Sequence, residues 1–231
     1  MNINGVRALV FDVLGTVVDE DGTVQREAQE VFSGAALQPE DLTSFLDDWE
    51  REQGARMDAI RMEGAAWTDS DTIRATTLRD LIRSRGWELP HTTLDRLAMV
   101  GHRLDPWPDS PGALERLSRS YPVVALTNGS VSQMVDTFVH AGLRWTLVLS
   151  ADLAQTFKPA AAMYRLPVTH LRMPTGQMLF VAAHPWDLDA AAEQGYRTAL
   201  IRRPGTNTEN DDRFDLSLAT IGDLADLMAG N

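Results

Sequence analysis

The stretch Ala8-Leu-Val-Phe-Asp-Val-Leu-Gly-Thr-Val-Val-Asp19 decides how the chain reads. An apolar run of strand type delivers one carboxylate, Asp12, and turns at once through Gly15-Thr16. An ionised carboxylate left alone in apolar surroundings costs several kcal/mol, so another part of the chain must compensate Asp12.

The segment directly behind this strand is helical. After a polar turn, Glu20-Asp-Gly-Thr23, a helical pattern runs from Val24 to Ser33. A second helix opens at Pro39 with acidic residues in its first turn, and Leu42, Phe45, Leu46, Trp49, Gln53, Met57 and Ile60 follow at spacings of three and four. Gly64-Ala-Ala-Trp-Thr68 interrupts it. A third helix is expected from Ser70 or Asp71 to Gly86, and a fourth from His91 to Leu104. No strand signal falls between Asp19 and Pro106. Residues 20–105 therefore read as an all-helical insertion, with 1–19 and 106–231 forming the core.

Beyond the turn-rich Pro106-Trp-Pro-Asp-Ser-Pro-Gly112, short apolar strands alternate with helices. Val123–Leu126, Leu147–Leu149, Met178–Ala182 and Thr198–Ile201 read as strands. Ala113–Ser118, Val131–Ala141, Ala160–Arg172 and Leu188–Gln194 read as helices, the third of which Pro167 must start, kink or split. Continuously apolar strands separated by helices indicate an α/β fold with a doubly wound parallel sheet. Ligands of such sheets sit at the carboxyl ends of the strands.

Bulk properties exclude several functions. The chain has 231 residues and no cysteine, which rules out disulfides, thiolate metal sites and cysteine catalysis. Its 33 acidic and 21 basic side chains give a net charge of −12, which disfavours nucleic acid and anionic membranes as partners. No apolar run approaches the roughly 20 residues that span a bilayer. Met1-Asn-Ile-Asn-Gly-Val-Arg7 shows no basic and apolar leader, so a cytoplasmic enzyme is expected.

Four segments at strand ends carry candidate polar groups. Asp12 is followed by Thr16, and the strand ending at Leu126 runs into Thr127-Asn128-Gly129-Ser130, ahead of a helix N-terminus suited to an anion. Phe157-Lys158-Pro159 offers a lysine, and Ala183-His184-Pro185-Trp186-Asp187 offers a second carboxylate. Singly, each is an ordinary cap or turn. In this order, at consecutive strand ends, they point to one site. His91, His140 and His170 form no metal-ligand spacing, Glu209-Asn-Asp-Asp212 reads as a solvated acidic loop, and Met57, Met62 and Met99 read as packing.

Phe11-Asp-Val-Leu-Gly-Thr-Val-Val-Asp19, Leu126-Thr-Asn-Gly129, Phe157-Lys-Pro159 and Asp187 resemble the four motifs of the haloacid dehalogenase superfamily. The likeness is closest to its type II, or L-2-haloacid, dehalogenases, which His102-Arg-Leu-Asp-Pro-Trp-Pro-Asp109 and Val181-Ala-Ala-His-Pro-Trp-Asp187 also resemble. The resemblance implies a Rossmann-like core with a helical cap inserted after the first strand. It also implies hydrolytic dehalogenation of short 2-haloalkanoic acids to 2-hydroxy acids through an aspartyl ester on Asp12. In that scheme Lys158 is the counter-charge, Asp187 orients Lys158 or activates water, and Thr16 bonds the nucleophile. Thr127 and the backbone N–H groups of Val13 and Leu14 hold the substrate carboxylate, and Asn128 faces halide or nucleophile. Tyr164 reaches Asp12 or Lys158, while His184 replaces a family Asn. Trp67 either walls the halide side or packs between helices, the latter being the commoner fate of such an aromatic. A homodimer formed through the cap is implied as well.

Two departures shape the chemistry. Phosphatases of the superfamily need a second Asp two residues after the nucleophile and Mg²⁺ held by further carboxylates, but here those positions are Leu14 and Ala183. No metal or other cofactor is therefore expected, and phosphatase activity is the less favoured reading. The family's halide-side arginine follows a Trp in a Trp-Arg-x-x-Gln pattern. Here Trp49-Glu-Arg-Glu-Gln53 puts Glu50 at that position and Arg51 one residue on, a rotation of about 100° on a helix. Arg51 is expected to face away, leaving Arg56 or Arg61 as substitutes. A carboxylate at position 50 also suits a cationic leaving amine, which makes an aspartyl-ester hydrolase of a C–N bond the alternative.

Overall fold

A computed structural model describes residues 4–33, 39–205 and 211–230. Its strands are β1 (Ala8–Phe11), β2 (Val18–Asp19), β3 (Asp105–Pro106), β4 (Val123–Thr127), β5 (Leu147–Ser150), β6 (Met178–Ala182), β7 (Arg197–Ile201) and β8 (Leu216–Leu218). The α-helices are α1 (Glu20–Phe32), α2 (Pro39–Glu63), α3 (Ser70–Ser84), α4 (His91–Ala98), α5 (Ser110–Ser118), α6 (Val131–His140), α7 (Ala151–Ala154), α8 (Ala161–Leu171), α9 (Pro185–Glu193) and α10 (Ile221–Ala229).

Six strands form one parallel sheet in the order β5-β4-β1-β6-β7-β8. Both faces are covered. Leu9 and Phe11 pack with Leu114, Met134 and Ile221 on one side, while Ala8 and Val10 pack with Phe157, Tyr164 and Leu188 on the other. This two-residue alternation explains why β1 is apolar throughout. The strand order reverses at β1, between β4 and β6, and the crevice beyond the carboxyl ends of β1 and β6 is where such a sheet binds ligands.

Helices α1 to α4 build a separate apolar cluster from Phe32, Phe45, Trp49, Leu78, Ile82, Leu97 and Val100. The chain enters and leaves this helical layer through the short antiparallel pair of β2 and β3, Val18 opposite Pro106. At its other edge the layer is tied to the sheet side by α3. Ser70 Oγ accepts the Ser130 N–H (2.8 Å), and the Ser130 hydroxyl donates to Asp71 (2.6 Å).

Several expectations change. The polar turn Glu20-Asp-Gly-Thr23 is the first turn of α1, because the Asp19 side chain caps the Gly22 N–H (3.0 Å). The fourth helix ends at Ala98 and continues as a 3₁₀ turn over Val100–Arg103 instead of running to Leu104. Pro167 neither starts nor splits α8, which runs through it from Ala161 to Leu171. The pattern also missed α7 and the final β8 and α10, whose strand is three residues long and half-buried. Glu209 and Asn210 of the expected acidic loop lie outside the described residues.

Candidate active site

Asp12 follows β1 directly and is 4% exposed. Its N–H donates to the Val181 carbonyl (2.9 Å), which extends the sheet ladder by one step and aims the side chain beyond the strand end. Gly15 then turns the chain with φ +75°, and a Cβ there would come within 2.8 Å of His184 Nε2, so only glycine fits. The turn brings the Thr16 hydroxyl back to donate to Asp12 Oδ2 (2.6 Å) while its oxygen accepts the Ala183 N–H (2.8 Å).

Lys158 supplies the compensation Asp12 requires. Its buried Nζ donates to Asp12 Oδ1 (2.6 Å) and to Asp187 Oδ2 (2.5 Å), with the Phe180 ring 5.6 Å away. Asp187 is fully buried at the start of α9, and its other oxygen accepts the Tyr164 hydroxyl (2.5 Å). Burial alone would lower the Lys158 pKa, but the Asp12 and Asp187 charges outweigh it and raise the ammonium above its ordinary value. Burial likewise pushes Asp187 up against the pull of Lys158, and pushes the Tyr164 phenol far above its usual range, so Tyr164 stays a donor. The donor set does not fit Mg²⁺. The ammonium of Lys158 occupies the position between the two carboxylates, and Leu14 and Ala183 offer no oxygen-bearing side chain.

Residues 6–195 match the model of the haloacid dehalogenase-like hydrolases. The chain belongs to that family. Among curated relatives of this hydrolase, a haloacetate dehalogenase H-2 of Moraxella sp. (strain B) is 32% identical, with 87% of each chain covered. An enolase-phosphatase E1 of Nocardia farcinica is 30% identical over 86% of this chain and 88% of that one. A solved L-2-haloacid dehalogenase is 31% identical, covers 98% of this chain and 100% of its own, and superposes with a TM-score of 0.88.

Besides Thr16 and Lys158, His184 stands against Asp12. His184 Nε2 lies 3.0 Å from the Leu14 carbonyl and 3.7 Å from Asp12 Oδ2. A carbonyl only accepts, so that nitrogen carries the proton. Val13 is buried and Leu14 half-buried in the same turn. Thr127 ends β4, and its hydroxyl oxygen accepts the Gly129 N–H (3.0 Å). Trp67, between α2 and α3, packs on Phe157 with ring centroids 5.0 Å apart and so covers the residue next to Lys158.

Two residues sit differently from expectation. Asn128 Oδ1 accepts the Lys158 main-chain N–H (2.7 Å), so its carbonyl oxygen braces the lysine rather than facing the nucleophile. Tyr164 bonds Asp187, not Asp12 or Lys158.

None of the three arginines considered for the halide side is turned to Asp12. Arg51 pairs with Asp48 (2.5 Å), Arg61 with Asp58 (2.7 Å), and Arg56 with Thr76 and Asp80 (2.7 Å each). Glu50 reaches solvent, yet burial and the charges of Asp21, Glu20 and Asp47 push its carboxyl above the usual range, with His184 pulling it back. Glu50 therefore lies within electrostatic range of His184, Asp21 and Glu20. Sequence reasoning missed Arg203, Ser150 and the Ser70–Asp71–Ser130 tie. Ser150 holds the Gly129 carbonyl (2.6 Å), a long-range contact with no local pattern to betray it.

Proposed function

We propose that this hydrolase removes halide from short 2-haloalkanoic acids, giving 2-hydroxy acids, with residues 20–105 acting as a cap over the site. The observation that carries this reading is Lys158 bridging Asp12 and Asp187 where a phosphatase of the family would need a metal and an acid. A dianionic phosphate would meet two carboxylates and one ammonium. An alkyl halide brings no phosphate charge, and halide leaves without protonation.

An Asp12 carboxylate oxygen attacks C2 of the substrate, the C–halogen bond breaks, and halide leaves with the electron pair, inverting C2. Water then adds to the Asp12 side-chain carbonyl and the ester C–O bond at that carbon breaks. The 2-hydroxy acid departs, a proton is released and the carboxylate is restored. Thr16 and Lys158 hold one Asp12 oxygen each, which fixes the carboxylate plane for in-line attack. We read Asp187 as the group that orients Lys158, since its two oxygens are taken by Lys158 and Tyr164. Thr127 and the N–H groups of Val13 and Leu14 are the proposed cradle for the substrate carboxylate, and His184 and Trp67 line its surroundings. The haloacetate dehalogenase and L-2-haloacid dehalogenase relatives support this substrate class.

The test is halide release from L-2-chloropropionate and from chloroacetate with EDTA present, alongside mass spectrometry of the Asp12 peptide. Halide release together with a substrate-mass ester on that peptide is the expected result. No release, with Asp12→Asn indistinguishable from the parent, would sink the proposal.

A second reading keeps the aspartyl ester and replaces halide by an amine. Glu50 favours it, because a carboxylate near Asp21 and Glu20 attracts a cationic leaving group. Turnover of strained cyclic amino acids, with haloacids inert, would select this alternative.

A further inference from the structure

Two residues beyond β7, Arg203 is 9% exposed and reaches back across the crevice. Its Nε donates to the Thr16 carbonyl (2.9 Å), Nη1 to Asp109 Oδ1 (2.7 Å) and Nη2 to Ser110 Oγ (3.3 Å). The guanidinium lies over the Trp107 ring, 5.1 Å from its centroid. Trp107 in turn donates its indole N–H to the Gly15 carbonyl (3.0 Å) and its main-chain N–H to Val17 (3.1 Å). Asp109 is held in place by the Ile221 N–H (2.7 Å) at the start of α10.

The geometry points to Arg203 as a positioning residue for the nucleophile, one that ties the Gly15–Thr16 turn to the segment leaving the helical layer. Residues 107–110 directly follow β3, by which the chain leaves the helical layer, and Asp109 and Ser110 open α5 of the core. Arg203 and Trp107 grip the turn carbonyls from outside, while on the inner side the Thr16 hydroxyl holds Asp12 Oδ2. Loosening this grip thus shifts Thr16, and with it the line of attack of Asp12. Only a planar fork of donors makes all three contacts together, which lysine cannot reproduce.

The inference rests on Asp12 being the nucleophile, and the experiment separates the two. Arg203→Lys, Thr16→Ala and the double variant are compared with the parent for kcat and KM of halide release, rate of Asp12 esterification, and melting temperature. Arg203→Lys should lower kcat and esterification about 30-fold with KM within about threefold, the scale of a sub-ångström misplacement. Because Arg203 acts through Thr16, the double variant should be no more than about threefold worse in kcat than Thr16→Ala alone. Losses in kcat that multiply, or an unchanged kcat in Arg203→Lys, overturn the inference and leave Arg203 a packing anchor. Absence of any Asp12 ester in the parent defeats the nucleophile reading instead. Hydrogen exchange of Arg203→Lys then tests the clamp alone: faster exchange confined to 13–18 and 105–110 sustains it, and uniform or unchanged exchange overturns it.

Discussion

Lys158 is, among the described residues, the one cation within hydrogen-bond reach of the buried Asp12 and Asp187. Replacing it with Met leaves two buried carboxylates unpaired, and breaking a buried pair this way costs about 3–5 kcal/mol. Urea denaturation of Lys158→Met should show that loss at neutral pH, together with loss of halide release. The pH dependence follows from the direction of the shift. The folded-state pKa of Lys158 lies above 10.5, so its stabilising contribution is complete below that value and is lost as pH rises through the higher folded value. The stability gap between parent and Lys158→Met should therefore stay level from about pH 7 to about pH 10 and close only above that. A gap that closes near neutrality would mean the lysine is not held charged by its partners.

At the scale of the element, α2 shows how one residue of helical rotation redirects chemistry. Trp49 is buried against α3, donating its indole N–H to the Arg74 carbonyl (3.1 Å), and this orientation sends Arg51 outward to Asp48. Glu50 is left on the side of His184 and Asp21. Its carboxyl is raised, so ionisation costs stability once pH passes above the ordinary value of 4.5. Glu50→Gln should melt higher than the parent at neutral pH, with the difference vanishing below about pH 4. The same substitution should lower KM for haloacids if a carboxylic acid is the substrate, since it removes a like charge near His184. An unchanged KM would place Glu50 outside the substrate's path.

For the whole molecule, the relevant fact is that Asp12 and Lys158 are almost sealed, at 4% and 5% exposure. Asp71 joins the seam between the helical layer and the sheet side through the Ser130 hydroxyl (2.6 Å). Asp71→Ala should cost about 1–3 kcal/mol for the partners left unsatisfied and should speed hydrogen exchange along α3 and the start of α6, with the sheet unaffected. Exchange that accelerates equally in β1 and β6 would show global loosening instead of an opened seam.

The sequence by itself determined the doubly wound sheet, the all-helical insertion and the four strand-end segments. Those features are local: apolar runs, helical spacing and turn residues act within a few positions of one another. It also put Leu14 and Ala183, whose side chains present no oxygen, where a phosphatase of the family carries carboxylates. Tertiary structure alone decided which groups meet. Tyr164 turned to Asp187, Asn128 to the Lys158 main chain, and Arg203 to Thr16, at separations of 23, 30 and 187 residues. Such partners are chosen by where α8, α9 and the sheet edge bring side chains together and by the cost of burying a donor or acceptor without one. No periodicity along the chain encodes that choice.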